Sequence, residues 1–461
     1  MSTAEGEQVR AEPRGRARRA FSAAARRFGF QDTRQFSAEL AVVAGVLIAA
    51  GAWAVFQFSQ FDFLRLCRGF DLWFDSDPAR TVANITSRWV IFHERSVLHP
   101  LYSLLVAGPF GVLQTALGLP TSTLTALYVA TQSAFFSGVA YAALRGFGLL
   151  RLDALLGILL LNSTAAAIYW IGFPEWLAFG AATAMVSVAW VASPESLRTR
   201  ATGVAQNFLS GAMAATSWVI GAAASFVSDW PKLRWGQAFT HTRDAFALMA
   251  ALTIVQYYLF PTTGGFLNIW HEAGVFLHPD PVQRSLLDYT IEFFGQPLVA
   301  PTPGIGVEGP RQVPGWGLLI MTSQLQRVPL TGLTLLIFAL WFALWILGLR
   351  AALKGGIRPA VFVIVLGAIA YFYVLHALLG GELFLFTLHF APLFAFVALW
   401  SLRAQRKWVA RGLCAVLIAA SFAHNYPSFI AATAVHNAID ASWLDRTDHP
   451  ASAIVAQTDC R

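Results

Sequence analysis

Residues 331–350 read TGLTLLIFALWFALWILGLR, an apolar run in which the only charged residue is Arg350 at its end. A helix of about 20 apolar residues spans the roughly 30 Å hydrocarbon core of a membrane. Similar runs recur from residue 38 to residue 426. Only 12% of the 461 residues are charged, whereas soluble proteins have roughly 25%. The sequence therefore excludes an ordinary soluble enzyme and predicts an all-α polytopic membrane protein.

Eleven hydrophobic segments define the predicted fold. They lie at residues 38–57, 100–118, 122–145, 152–171, 174–192, 204–228, 244–260, 331–350, 359–379, 385–402 and 408–425. We expect three parts: a basic, mostly disordered arm over residues 1–37, a transmembrane catalytic domain over residues 38–425, and a tail over residues 426–461. The arm has eight arginines and lacks the apolar core of a signal peptide, so it is expected to stay in the cytoplasm.

The basic residues predict the orientation of the chain. The net charge of +7 is dispersed in short clusters between apolar runs, which is typical of membrane topology signals and not of a nucleic-acid-binding surface. With the arm in the cytoplasm, residues 58–99, 261–330 and the tail lie outside. The clusters within residues 350–358 and 403–411 then lie inside. The predicted location is a bacterial inner membrane.

Two topologies stay open for the N-terminal half. If residues 100–118 and 204–228 are simple spans, four arginines fall outside and break the positive-inside rule: Arg145, Arg151, Arg198 and Arg200. The preferred alternative is that residues 100–118 do not fully cross and that residues 204–230 form two half-helices turning near Thr216 and Ser217. A proline at position 109 and many small residues in the second segment favour this alternative.

The three cysteines, Cys67, Cys414 and Cys460, do not have the paired spacing of a structural zinc site. Cys67 and Cys460 share the predicted outer side, where a disulfide between them is possible. Unpaired thiols are the favoured interpretation.

Acidic residues are concentrated just after the first hydrophobic segment: Asp62, Asp71, Asp75, Asp77 and Glu94. Carboxylates beside a membrane cost free energy unless they are used or paired, so this cluster predicts a functional site. The simpler alternative for Asp77 is an N-cap, because Pro78 follows it at the first helical position. A cap would not explain three carboxylates within residues 71–77.

A helix is predicted to follow Pro78, with an apolar stripe and a polar face. The stripe consists of Val82, Ile85, Trp89 and Phe92. An amphipathic helix of this kind lies in the plane of the membrane interface. Arg80, Arg88 and Arg95 lie largely opposite the stripe, where they would face lipid head groups or a phosphorylated lipid; a solvated helix face is the alternative for Arg88 and Arg95.

The string Asp75-Ser76-Asp77-Pro78-Ala79-Arg80, followed by His93, Arg95 and His99-Pro100-Leu101, resembles the first outside loop of the GT-C superfamily of integral membrane glycosyltransferases. The motif match covers about residues 70–101, and the resemblance in architecture covers the whole chain. The resemblance implies a sugar taken from a polyprenyl-phosphate carrier on the non-cytoplasmic face. It also implies that the loop aspartate supplies the catalytic carboxylate, which makes Asp77 the first choice and Asp75 the second.

This chemistry needs a base for the acceptor hydroxyl and positive groups for the departing phosphate. Asp77 or Asp75 would be the base, and Arg80, Arg88 and Arg95 would bind the phosphate. Four further residues are predicted to bind substrate: His99, Glu175, Glu382 and His389. The alternatives are an interfacial histidine for His99 and helix N-caps for the two glutamates.

No cofactor is implied by the sequence. Asp75 and Asp77 have a spacing that also suits a divalent cation, but the acids and histidines of residues 261–330 do not form a recognised metal-binding spacing, and a lid is the plainer interpretation of that segment. The sequence contains no Gly-rich phosphate-binding loop. The partners are expected to be the lipid-linked donor, a lipid, glycan or protein acceptor, and membrane lipids.

Two other functions remain as alternatives. A lipid-linked glycan polymerase or ligase would depend on arginines of the later loop, such as Arg311 and Arg327. A transporter or flippase would place charged residues at the middle of the membrane and have symmetric halves, whereas the acids here concentrate at one surface.

Overall fold

The structure is a computed structural model, which describes residues 32–68, 73–74, 76–89, 98–263, 285–302, 305–306, 321–322, 328–379, 383–404 and 407–438, with the single residues 22 and 25. Within these ranges it contains helices and one antiparallel pair of two-residue strands. The prediction of an all-α protein is therefore confirmed.

The N-terminal helices are α1 (Thr33–Phe58), α2 (Phe63–Arg68), α3 (Pro78–Thr86), a π-helical segment (Ser103–Ala107) continued by α4 (Gly108–Leu117), α5 (Thr121–Gly146), α6 (Arg151–Ser163), α7 (Ala165–Trp170) and α8 (Leu177–Ala192). The central helices are α9 (Arg200–Met213), α10 (Trp218–Val227), α11 (Trp235–Leu259) and α12 (Leu286–Gly295). The strands β1 (Ile305–Gly306) and β2 (Met321–Thr322) follow. The C-terminal helices are α13 (Gly332–Ala351), α14 (Pro359–Leu379), α15 (Leu383–Leu399) and α16 (Lys407–Ala438).

Six of these helices are long and apolar enough to cross a membrane: α1, α5, α13, α14, α15 and α16. They identify the chain as a multi-pass membrane protein. The apolar window that begins in α15 is 94% buried, whereas those in α1, α13 and α16 are 28% buried. Helix α15 therefore forms the centre of the bundle, and the others present apolar faces on its outside, as expected for helices that contact lipid.

The other five predicted segments are short, broken or partly polar. Residues 152–171 form α6 and α7, which are separated at Thr164, whose hydroxyl oxygen accepts the backbone N–H of Ala167 in the first turn of α7. Residues 204–228 break after Met213, turn through Ala215–Ser217 and return as α10. The helix over 103–117 is about 22 Å long at 1.5 Å per residue, too short to cross directly. Helix α8 has 16 residues, and α11 begins at Trp235 and includes polar residues before its apolar part.

Four arginines that the two topologies treat differently lie at one end of the bundle. Glu39 accepts hydrogen bonds from Arg145 and Arg151. Arg403 reaches the carbonyl oxygen of Gly148 at 2.6 Å, directly after α5. The cluster within residues 145–151 therefore lies beside the one within residues 403–411, as the preferred topology requires. The break near Thr216 in residues 204–230 agrees with it.

Helix α3 corrects the prediction of an amphipathic helix lying in the interface plane. Almost all of its side chains are buried, because it packs against α2, the start of α4 and α5. It ends at Thr86, so Trp89 is not part of its face, and Phe92 lies outside the described residues. The segment that contains α3 is folded onto the helix bundle instead of lying in lipid.

The last described helix extends beyond the predicted end of the membrane segment. Helix α16 continues through Pro427 to Ala438, into the region predicted as a tail. Its end is attached to the loop after α1, because the side chain of Asn437 bonds to the carbonyl of Gln60 at 2.8 Å and to the amide of Asp62 at 2.9 Å. The C-terminal helix therefore covers the start of the motif loop.

The cysteines differ from the favoured expectation of unpaired thiols. Cys67 is disulfide-bonded, whereas Cys414 is free and buried. Cys460, which the sequence suggests as a possible disulfide partner of Cys67, lies outside the described residues.

Candidate functional site

The loop that leads to Asp77 is fixed by aromatic packing. Trp73 is fully buried between the rings of Tyr169 and Phe173, each at 5.6 Å between ring centroids. Phe74 has a positive φ of 47° and packs edge-on against Phe384 at 4.9 Å. A non-glycine residue in this region costs about 1–3 kcal/mol and persists only where the surrounding packing requires it. The backbone before Asp77 is thus held in a strained conformation.

Asp77 stands at the N-terminus of α3 but does not cap the helix with its side chain. Its carboxylate instead forms an ion pair with Arg80, with 2.5 Å between Asp77 Oδ2 and Arg80 Nη2. The two side chains are only 13% and 12% exposed. Asp77 occupies the N-cap position, but the alternative that its side chain caps the helix is wrong, because the carboxylate is part of a largely buried charged pair.

Glu175 lies in the loop between α7 and α8, directly beside this pair. Its Oε1 accepts the backbone N–H of Asp77 at 2.9 Å, and its Oε2 accepts that of Trp176 at 3.3 Å. Trp176, not Glu175, occupies the N-cap position of α8, so the capping alternative is wrong here as well. Burial, followed by the negative charge of Asp77, raises the pKa of Glu175 to about 7.

A chain of hydroxyl groups extends from Glu175 into the bundle. The hydroxyl of Tyr102 donates to that of Tyr128 at 3.0 Å, and Tyr128 donates to the backbone carbonyl of Glu175 at 3.1 Å. Neither tyrosine is among the site residues predicted from the sequence. A usable signal was present, because a tyrosine within an apolar run needs a hydrogen-bond partner for its hydroxyl.

Two of the predicted histidines meet at Trp176. The ring centroid of His99 lies 3.7 Å from that of Trp176, and the ring centroid of His389 on α15 lies 5.1 Å from the same indole. His99 Nδ1 is 3.0 Å from the carbonyl oxygen of Met213. A Cβ atom at Gly180 would lie 3.0 Å from His389 Nε2. The glycine therefore leaves room for this contact.

Arg88 lies outside the Asp77 cluster. It follows the end of α3, is exposed, and its guanidinium lies 4.7 Å from the centre of the Trp89 ring. Both residues line a cavity of about 710 Å³ whose wall is formed mainly by α4, by Asn84 of α3 and by Phe260. Arg88 is therefore placed at the rim of an apolar cavity, four residues after Asn84 and eight residues after Arg80.

The structure brings together Asp77, Arg80, Glu175, His99 and His389 at one end of the bundle. Three predicted site residues lie outside the described residues: Asp75, Arg95 and Glu382. In the part of the chain that the structure describes, no group of three or more histidine, cysteine or acidic side chains is arranged to hold a metal ion. The hypothesis of a cation between Asp75 and Asp77 stays a prediction.

The side chains of Asp77, Arg80 and Glu175 can together transfer a proton and bind an anion. Asp77 is an ionisable base next to a guanidinium, and Glu175 can hold or release a proton near neutral pH. Comparison with known protein families, with curated proteins and with solved structures finds no match. The resemblance to the GT-C superfamily therefore rests on the loop motif and on the multi-pass architecture.

Proposed function

We propose that this chain is a membrane glycosyltransferase of the GT-C type, which transfers a sugar from a polyprenyl-phosphate carrier to a lipid, glycan or protein acceptor at the outer face of a bacterial inner membrane. The observation that carries the proposal is the Asp77–Arg80 pair. The carboxylate of Asp77 does not cap the helix. It is held by the guanidinium of Arg80, beside the buried carboxyl group of Glu175.

Asp77 acts as the general base in this proposal. The acceptor oxygen forms a bond to the anomeric carbon of the sugar while the bond from that carbon to the phosphate oxygen breaks. The acceptor proton moves to Asp77, and the bonding electron pair leaves with the phosphate. Arg80 holds the carboxylate of Asp77 in place and offsets the charge that develops on the phosphate. Inversion at the anomeric carbon follows from such a direct displacement.

Glu175 is the positioning residue of the pair, because it holds the backbone of Asp77 in place. With a pKa near 7, it is partly protonated at neutral pH. In that form it adds no second negative charge beside Asp77. His99 and His389, whose rings both contact Trp176, are the proposed contacts for sugar hydroxyls.

Three features support an outer location and a lipid substrate. The arginine-rich end of the bundle is opposite the Asp77 site, which the positive-inside rule assigns to the outer face. The disulfide at Cys67 is favoured by an oxidising compartment. The apolar cavity of about 710 Å³ beside α4 is the proposed groove for the prenyl chain, with Arg88 at the level of the phosphate.

The test is transfer by the purified protein from a panel of polyprenyl-phosphate and polyprenyl-diphosphate sugars. Asp77→Asn is expected to lower the rate by about 10²–10⁴-fold, the usual contribution of a general base. Asp62→Asn is the matched control, because Asp62 pairs with Arg65 three residues later in the same way, at the start of α2. Its activity should stay unchanged.

Three outcomes would contradict the proposal. These are full activity of Asp77→Asn, equal losses in both variants, and turnover only of diphosphate-linked oligosaccharides. The last of these, if Arg311 and Arg327 were also required, would favour the polymerase or ligase alternative. Those two arginines lie outside the described residues.

A further inference from the structure

A second cavity lies at the other end of the bundle from Asp77. Its volume is about 580 Å³, within the range of roughly 300–1,000 Å³ that is usual for small-molecule sites. Helix α5 connects the two sites, because Tyr128 contacts Glu175 near its start and Gly146 lines this cavity at its end. The 18 residues between them correspond to about 27 Å of helix. The cavity is therefore separate from the proposed catalytic site.

Two arginines line this cavity, and both are bound to neutral backbone oxygens. Arg403 donates to the carbonyls of Gly148 at 2.6 Å and Gly356 at 3.2 Å. Arg358 donates to those of Val191 and Ser193, each at 3.0 Å. Carbonyl groups fix a guanidinium in place but do not neutralise it. The cavity is thus lined by two oriented positive charges.

Three acids at this end of the bundle, Glu39, Asp153 and Asp229, are paired with other arginines. Glu39 binds Arg145 and Arg151, and Asp153 binds Arg411. Asp229 and Glu195 are close enough to attract Arg358, but in the described part of the chain neither forms an ion pair with it. Asp229 is paired with Arg198 and Arg234. Among the described residues, neither Arg358 nor Arg403 has a carboxylate within ion-pair distance.

Glycine at position 148 is required for this arrangement. Its φ of 78° disfavours any other residue, and a Cβ atom there would lie 3.1 Å from Nη1 of Arg403. An adjoining cavity of about 260 Å³ shares Gly148 and Arg403 and adds the exposed Lys407 and also Asp153, whose carboxylate is paired with Arg411. The backbone at this corner thus keeps a basic cavity open at the ends of α5, α13 and α15.

We propose that this cavity binds the phosphate head group of an anionic phospholipid, with the phosphodiester between Arg358 and Arg403. Guanidinium groups suit phosphate oxygens in both geometry and charge. Basic cavities between the ends of membrane helices lie at the depth of lipid head groups. Apolar side chains form the rest of the wall, including Phe362 and the exposed Leu353, which favours a lipid over free phosphate. The site does not depend on the proposed transferase activity.

The experiment is native mass spectrometry of the full chain in detergent, with phosphatidylglycerol, phosphatidylcholine or inorganic phosphate added at equal concentrations. Phosphatidylglycerol should be retained at least tenfold better than phosphatidylcholine. Each basic side chain contributes about fivefold to binding of an anionic lipid, so Arg358→Gln combined with Arg403→Gln should weaken retention about 25-fold. Arg200→Gln is the control, because Arg200 pairs with Asp244 away from the cavity, and it should bind like the wild type.

Lys407→Gln keeps the proposal testable if the double variant does not fold. Lys407 is exposed, and its replacement leaves all four bonds from the arginines to carbonyls intact. It should lower retention of phosphatidylglycerol by up to about fivefold. Equal retention of phosphatidylcholine, undiminished binding by the folded double variant, or displacement of the lipid by equimolar inorganic phosphate would each overturn the proposal.

Discussion

The backbone amide of Asp77 donates a 2.9 Å hydrogen bond to the side chain of Glu175, a residue 98 positions further along the chain. This bond couples the position of Asp77 to that of Glu175. Glu175 determines where the loop places Asp77, while the charge of Asp77 helps to raise the pKa of Glu175. A change at Glu175 should therefore affect both the stability of the protein and the chemistry at Asp77.

Replacing Glu175 with Gln should change how stability depends on pH. The pKa of Glu175 is about 7 in the folded protein and 4.5 in its ordinary state, so its stabilising contribution is complete below pH 4.5 and is lost as the pH rises through 7. The Gln variant keeps an oxygen that can accept the amide of Asp77 but has no charge to bury. Relative to wild type, its unfolding free energy should gain up to about 3 kcal/mol between pH 5 and pH 8. Thermal unfolding at both pH values measures this, and parallel pH curves would contradict the prediction.

Arg80→Lys should separate charge from geometry at the proposed site. Lysine keeps a positive charge near Asp77, so the protein is expected to fold, but it lacks the planar guanidinium that can bind carboxylate and phosphate together. The expected result is a loss of about 10²-fold in kcat, the usual effect of removing one donor from a developing charge, with a small change in KM. Arg65→Lys, at the corresponding position of α2, serves as the control. A change confined to KM would show that Arg80 only binds the donor.

Gly180→Ala should disturb the contact between Trp176 and His389. The added Cβ would lie 2.6 Å from the Trp176 ring and 3.0 Å from His389 Nε2. We expect destabilisation of about 1–3 kcal/mol, as for other overpacked positions, together with a raised KM for the sugar donor. Gly412→Ala is the matched control, because nothing lies within 4 Å of its added atom. Equal stability and equal KM in the two variants would contradict the proposed role of this contact.

The proposed topology predicts opposite labelling of two exposed positions. Leu150 lies at the arginine-rich end of the bundle and Trp89 beside the Asp77 site, and both side chains are more than half exposed, at 53% and 55%. In intact spheroplasts, a membrane-impermeant maleimide should label Trp89→Cys and leave Leu150→Cys unlabelled until the membrane is opened. Labelling of Leu150→Cys from outside would reverse the assignment of the active face.

Sequence patterns predicted the features that depend on composition and length. The apolar runs gave the six long helices, and the small residues of 204–230 indicated the break near Thr216. The loop motif identified Asp77 and Arg80 as neighbours because they are three residues apart. Each of these features depends on local chemistry alone.

The features that were missed depend on tertiary contacts. The alternation of apolar and polar residues in α3 indicates one buried face, but it does not distinguish lipid from the neighbouring helices α4 and α5. No proline or glycine near Thr164 indicates the helix break at that residue. Likewise, the link from Tyr102 through Tyr128 to Glu175 joins residues 26 and 47 positions apart. No local pattern predicts such a pairing.

The extension of α16 past Pro427 determines when the site can form during synthesis. Phe429 packs edge-on against Trp73 and Tyr169, at 5.9 and 5.7 Å between ring centroids, and these two rings hold the strained loop before Asp77. A nascent chain that ends before residue 429 contains Asp77, Arg80 and Glu175. It lacks Phe429, one of the rings that pack around Trp73 in the loop before Asp77. We therefore expect the proposed site to be complete only after α16 has been inserted, so a chain that is truncated before residue 429 would carry Asp77, Arg80 and Glu175 without the packing that holds their loop.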